Sequence, residues 1–132
     1  MSETIDKLGW LLLKDSKLLV VRSKNKSLFY IPGGKRDAGE SDSEALIREI
    51  KEELCVDLNP ETISHAIKVT APADGKADAK VQINCYYAAY QGTLTAAAEI
   101  AELAFVALEE ESICSVATIE IMRWLKNNPL PE

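Results

Sequence analysis

Between positions 33 and 53 the chain carries Gly33-Gly34, Glu40, Glu49, Glu52 and Glu53. On a helix that turns about 100° per residue, Glu49, Glu52 and Glu53 fall within an arc of roughly 100°. Leu46, Ile47, Ile50 and Leu54 occupy a second arc centred about 120° away, so one side can pack while the adjoining side gathers carboxylates. Crowded anions destabilise a helix unless a cation neutralises them. Hard oxygen donors suit Mg²⁺ or Mn²⁺ rather than zinc, and through such an ion a phosphate chain. Gly33 and Gly34 let backbone carbonyls approach an ion closely, and Glu40 closes the loop beside the helix start. Most acidic helix faces are simply solvated; the glycine loop is what turns this one toward a metal site. Glu44, Arg48 and Glu52 stand four residues apart, which lets Arg48 screen the acids and fix their rotamers.

The elements that must hold these residues are short. Residues 10–13 and 17–22 read as strands around the polar turn Lys14-Asp15-Ser16. Residues 28–31 are a brief aromatic run halted by Pro32-Gly33-Gly34, a strong loop signal. The acidic helix is expected over residues 43–54, with Ser41 or Asp42 as its cap. Residues 63–70 and 81–90 are rich in β-branched and aromatic side chains and read as strands, with a flexible turn over 71–79 between them. A further strand is expected over 103–108. A second helix is expected over 116–126, carrying Val116, Ile119, Met122 and Leu125 at near-helical spacing. Strands outnumber helices and sheet separates the two helices, which predicts an α+β chain built as an α/β/α sandwich.

With 132 residues, 47% of them apolar, the chain is expected to form one domain, residues 1–132, with a core that needs no disulfides. Cys55, Cys85 and Cys114 are odd in number and widely spaced, which predicts reduced thiols in a cytoplasmic protein. The first seven residues are polar and acidic, with no basic stretch leading into an apolar run, and nothing approaches the length of a membrane span. A net charge of −6 argues against nucleic-acid polymers and anionic membranes as partners.

Gly34 to Val56 reads Gly, five residues, Glu40, seven residues, then Arg48-Glu49-Ile50-Lys51-Glu52-Glu53-Leu54-Cys55-Val56. This resembles the signature of the Nudix hydrolases, with Cys55 where the family pattern has glycine. At ordinary residue usage, its six matched glycine and polar positions recur by chance on the order of once in 10⁷ starts. Leu18 to Arg22, Phe29 to Gly34 and Glu99 to Val106 resemble the family's early strand, its Pro-Gly-Gly lead-in and its late acidic strand more loosely. The glycine replaced by Cys55 is one that ends a helix in a left-handed turn, so local strain is expected there, without loss of chemistry.

The resemblance implies a Nudix-type sandwich with a mixed central sheet. It implies hydrolysis of a pyrophosphate bond in a nucleoside diphosphate derivative, most simply a nucleoside triphosphate or modified nucleotide, by a monomer or homodimer. It implies Mg²⁺ or Mn²⁺ held by Glu52, Glu53 and the Gly33 carbonyl, with Glu49 a further ligand or the general base and Arg48 orienting Glu49. Glu40 would hold a second ion or tie down the loop, and Glu102, in preference to Glu99, would complete the site. A polyphosphate also needs cations beyond the metal, for which Arg22, Lys35 and Arg36 are candidates. The alternative is a catalytically silent nucleotide-binding module on the same fold, and an isoprenoid-diphosphate isomerase is less compatible with so short a chain. Phe29, Tyr86, Tyr87 and Tyr90 can stack a base but read better as core, as do Trp10 and Trp124, and His65 reads as a strand residue.

Overall fold

The computed structural model describes residues 3–73 and 78–129. Its strands are β1 (Glu3–Leu11), β2 (Leu13–Lys14), β3 (Lys17–Ser23), β4 (Gly33–Gly34), β5 (Asp57–Leu58), β6 (Ser64–Pro72), β7 (Ala79–Tyr87), β8 (Tyr90–Gln91) and β9 (Ile100–Ala107). The helices are α1 (Asp42–Leu54) and α2 (Val116–Asn127). None of them is long and apolar enough to cross a membrane.

The central sheet is mixed, as expected, in the order β4-β1-β7-β6, with β1 and β7 parallel and the other pairs antiparallel. A second, antiparallel sheet runs β2-β3-β9. The lead-in segment stitches the two together: Tyr30 bridges to Val21 of β3, while Gly33 pairs with Gly9 of β1. Helix α1 buries Ala45, Leu46, Ile50 and Leu54 in a core with Leu8, Trp10, Leu19 and Val21. Helix α2 buries Ile121, Met122 and Leu125 in another, with Val20, Val69, Cys85 and Val106. Alternation along β3 sends Leu19 and Val21 to one core and Leu18 and Val20 to the other, which is why a single strand can serve both helices.

Ser41 caps α1 reciprocally. Its hydroxyl accepts from the Glu44 N–H, and the Glu44 carboxylate accepts from the Ser41 N–H. The exit is left-handed at Cys55, with φ 61° and ψ 26°, so the cysteine adopts the conformation a glycine would take there more cheaply.

Several boundaries differ from those expected. Strand β1 begins at Glu3 rather than Trp10, because the polar run before Trp10 pairs with β7 over its whole length, with Asp6 held by Arg36. Within the aromatic run over 28–31, Phe29 and Tyr30 make single bridges, to Cys114 and Val21. The strand expected over 81–90 breaks at Ala88 and Ala89. The carbonyl of Ala88 accepts from the Trp10 indole, and Ala89 bonds Asn59 through its carbonyl and Thr62 through its N–H. The strand expected over 103–108 runs from Ile100 to Ala107, in register with β3. The turn expected over 71–79 is shortened from both ends by β6 and β7, and its residues 74–77 lie outside the described residues.

Candidate active site

The two glycines of β4 explain how α1 meets the sheet. A Cβ on Gly33, whose φ is +146°, would lie 2.0 Å from the Leu8 carbonyl oxygen. A Cβ on Gly34 would lie 2.5 Å from the Glu49 carboxylate. Only glycine lets this strand slide between β1 and the acidic side of the helix. Contact is then direct, since the Gly33 N–H donates to Glu53 Oε1 at 3.1 Å. Gly33 thus reaches Glu53 through its N–H, a contact distinct from the carbonyl ligation that the resemblance implies.

Arg48 is the hub of the remaining acids. Its Nε and Nη2 donate to the two Glu40 oxygens at 2.8 and 2.9 Å, and Nη1 donates to Glu49 Oε1 at 2.9 Å. Nη2 also donates to the Lys35 carbonyl at 3.0 Å, which ties the loop down. Its contact with Glu52 is longer, 3.4 Å, and Glu52 faces solvent. Glu44, the other end of the expected row, turns back to the cap instead of toward Arg48. Glu40 also accepts from the Asp37 N–H at 2.7 Å, so its carboxylate is saturated by the loop it closes.

The electrostatics divide these carboxylates into two kinds. The Arg48 guanidinium, with the Asp37 N–H, holds Glu40 down to about 2. Burial pushes Glu53 up to about 7, against the Gly33 hydrogen bond and with the Glu49 charge adding to it. Burial also raises Glu49, partly offset by Arg48. Burial thus leaves Glu53, and Glu49 despite its bond to Arg48, under-compensated as anions, and a hard divalent cation suits that deficit. Among the described residues no three acids, cysteines or histidines already converge as a closed metal site. The donor chemistry fits such an ion, with Glu49, Glu53 and, after rotation away from Arg48, Glu52 able to hold it.

Glu53 opens onto a cavity of about 360 Å³ that Gly33, Gly34 and Lys35 also line. Its floor is the face of β1 and β7 that carries Ile5, Lys7, Val81 and Ile83, and the start of α2 closes one side. Lys7 is half-buried there, and its proton affinity is lowered by burial and by Lys35, while Glu53 acts in the opposite sense. Sequence reasoning missed Lys7, since it lies in the stretch read as a polar leader. Its only signal there was alternation: Ile5, Lys7 and Gly9 share one face of a strand.

The other candidates lie apart from the cavity. Arg22 pairs with Glu102 at 3.3 Å across β3 and β9 and donates to the Lys26 carbonyl at 3.0 Å. Arg36 is bound to Asp6 and pairs with Asp42 at 3.1 Å, while Asp42 also accepts from the Tyr86 hydroxyl. This network pins the loop to the sheet beneath it. His65 bonds Asn84 at 3.0 Å and packs edge-on against Tyr86, and Tyr90 packs edge-on against Trp10. Neither Phe29 nor Tyr86, Tyr87 or Tyr90 lines the cavity; Tyr30 does. Burial raises the thiols of Cys85 and Cys114 to about 12 and about 11, leaving both as inert core groups.

Comparison with known proteins agrees with this architecture. The NUDIX domain family model matches residues 8–125. The ADP-ribose pyrophosphatase of Methanocaldococcus jannaschii is 49% identical over 43 residues, which are 30% of this chain and only 25% of that protein. The E. coli ORF135 protein superposes with a TM-score of 0.74 at 20% identity, over 99% of this chain and 96% of that one. A MutT NUDIX hydrolase from Burkholderia pseudomallei gives 0.77 at 22% identity, over 92% of this chain and 97% of that one. At such identities the structural likenesses speak for the fold alone. The family model spans nearly the whole chain, the glycine-flanked acidic helix lies inside it, and the chain therefore belongs to the Nudix family.

Proposed function

We propose that this protein is a Mg²⁺- or Mn²⁺-dependent hydrolase that splits the pyrophosphate bond of a small nucleoside diphosphate derivative. The observation that carries the reading is the pair of under-compensated carboxylates, Glu49 held against Gly34 and Glu53 against Gly33, with Glu53 lining a cavity. A bound divalent ion would screen the phosphate oxygens and acidify a water.

The protein's own residues do the rest. Glu53, fixed by the Gly33 N–H, and Glu52 would hold the ion. Glu49, kept basic by burial and aimed by Arg48, takes the proton of the attacking water. That water adds to one phosphorus as the bridging P–O bond breaks, and two phosphate-bearing products leave. Lys35, exposed on the cavity rim, meets a phosphate oxygen. Glu40 serves Arg48 rather than an ion, because both of its oxygens are taken. Glu102 is paired with Arg22 and Arg36 with Asp42, so we assign Glu102 to no ion and neither arginine to the substrate.

Nucleoside triphosphates and ADP-ribose-like compounds are the substrates to try first. Phosphate release from a panel of both, with and without Mg²⁺, is the test. Metal-dependent turnover of at least one compound is the expected result. Binding across the panel with no turnover in either metal would instead identify a silent nucleotide-binding module.

A further inference from the structure

Lys7 is the one cation in an otherwise apolar cavity floor. Its neighbours on that face of β1 are Ile5 and Gly9, and across β7 they are Val81, Ile83 and Cys85. No hydrogen bond or ion pair joins its ammonium to another group among the described residues. A half-buried ammonium without a partner is costly, so its presence needs a ligand to explain it. Lys26 and Lys35 stand exposed on the rim of the same cavity, near enough that both depress the proton affinity of Lys7. Among the described residues that line it, Glu53 is the only carboxylate. Within that set three ammonium groups face one acid, and a divalent ion on Glu53 would make the cavity more cationic still.

The lining is also poor in groups that read a nucleobase. Amino groups on a base need acceptors, yet no asparagine, glutamine or aspartate is among the described residues that line the cavity. Of its hydroxyls, those of Ser115 and Thr118 are bonded to each other at 2.8 Å. Arg22, through its bond to the Lys26 carbonyl, holds the strand end from which Lys26 extends.

We propose that Lys7, with Lys26, recognises a second anionic group on the substrate: a phosphate monoester on the part of the molecule that is not cleaved. The preferred substrate is then a diphosphate that carries a further phosphate, and Lys7 is the residue that selects it. This rests on the hydrolase reading only for placing the scissile diphosphate at Glu53.

The test compares matched pairs that differ in one phosphate: ADP-ribose with and without a 2′-phosphate, a nucleoside 5′-diphosphate with and without a 3′-phosphate, and ribose 1-diphosphate with and without a 5-phosphate. For at least one pair, wild-type kcat/KM is expected to be about 30-fold higher for the phosphorylated member. Lys7→Met should cut that ratio to about threefold or less, mainly through KM, and Lys7→Arg should restore most of it. Lys7→Met should also melt at or above the wild-type temperature, because it removes an unpaired charge, so loss of selectivity cannot be loss of fold. Turnover of unphosphorylated members with no preference in any pair overturns the proposal. If no compound is turned over at all, the hydrolase reading fails, and binding decides this one separately. Inorganic phosphate titrated into metal-free protein should shift the Ala117 and Gly34 amide resonances, about tenfold more weakly in Lys7→Met. Equal affinity in both proteins overturns it.

Discussion

Helices α1 and α2 begin alike and end in different chemistry. Each opens on a serine cap, each buries one apolar stripe, and they lie on opposite faces of the same sheet. On α2 the charges are matched. Arg123 donates to both oxygens of Glu111 at 3.2 and 2.9 Å, Lys126 stands 3.7 Å away, and the Glu111 carboxyl is held below its usual range. On α1 one cation, Arg48, must serve Glu40, Glu49 and Glu52, and Glu53 receives no side-chain donor among the described residues. Glu49 and Glu53 are consequently raised where Glu111 is lowered. A charged helix face is structural when its partners are supplied in cis, and it is prepared for a ligand when they are withheld.

The sharpest break in this contrast is Glu53→Gln. Glutamine keeps the acceptor that Gly33 uses and removes the charge, so metal-dependent turnover should fall at least about 100-fold. The fold should gain rather than lose. A carboxyl whose folded-state pKa is raised holds its proton longer in the folded than in the unfolded chain. Metal-free wild-type stability is therefore greatest below the unfolded value of 4.5, falls as pH rises from there, and levels off above about 7. The span corresponds to roughly 3 kcal/mol. Urea melts at pH 5 and pH 8 should show this decline in wild type, and a much flatter profile in Glu53→Gln or with Mg²⁺ present. A wild-type melt that strengthens between those pH values would contradict the picture of withheld charge.

Next in size is Arg48→Ala, expected to lower kcat about 10–100-fold by freeing Glu49 and unpinning the loop at Lys35. Arg48→Lys should rescue little, because one ammonium cannot span the two Glu40 oxygens and Glu49 together. On α2, Arg123→Ala removes an equally well-formed fork and should leave turnover within about twofold, since exposed pairs contribute little. Steady-state kinetics on the three proteins separates a fork that positions a base from one that decorates a surface.

Much of this was legible before any coordinates. The serine cap, the two helices, the layered fold and the acids facing Gly33-Gly34 follow from local rules of spacing and capping, which act within a few residues. What was hidden depends on partners distant in sequence. Strand β1 looked like a polar leader because Asp6 and Lys7 sit where a central strand is ordinarily apolar. Asp6 is there to hold Arg36, and Lys7 to face the cavity. Arg36 read as a phosphate contact because its partner Asp6 is thirty residues away, and Arg22 did so because Glu102 is eighty residues away. The break at Ala88 and Ala89 is set by Trp10, Asn59 and Thr62, none of them neighbours in sequence.

The helix ends sharpen the comparison at its smallest scale. Cys55 leaves α1 with φ 61°, where a side chain costs about 1–2 kcal/mol, whereas Asn128 leaves α2 with φ −136°, where it costs nothing. A Cβ on Gly92 would lie 3.4 Å from Val56 and 3.6 Å from the Cys55 carbonyl oxygen, so there is little spare room outside the exit. Cys55→Gly relieves the strain and returns part of the gain as unfolded-chain entropy, for a net stabilisation of about 0.5–1 kcal/mol. Asn128→Gly has no strain to relieve and should destabilise slightly. Opposite shifts in denaturation midpoint are expected for the two variants, with turnover retained in Cys55→Gly because that position touches neither the carboxylates nor the cavity. A Cys55→Gly midpoint at or below wild type would mean that the thiol earns its place through a contact that outweighs the left-handed backbone.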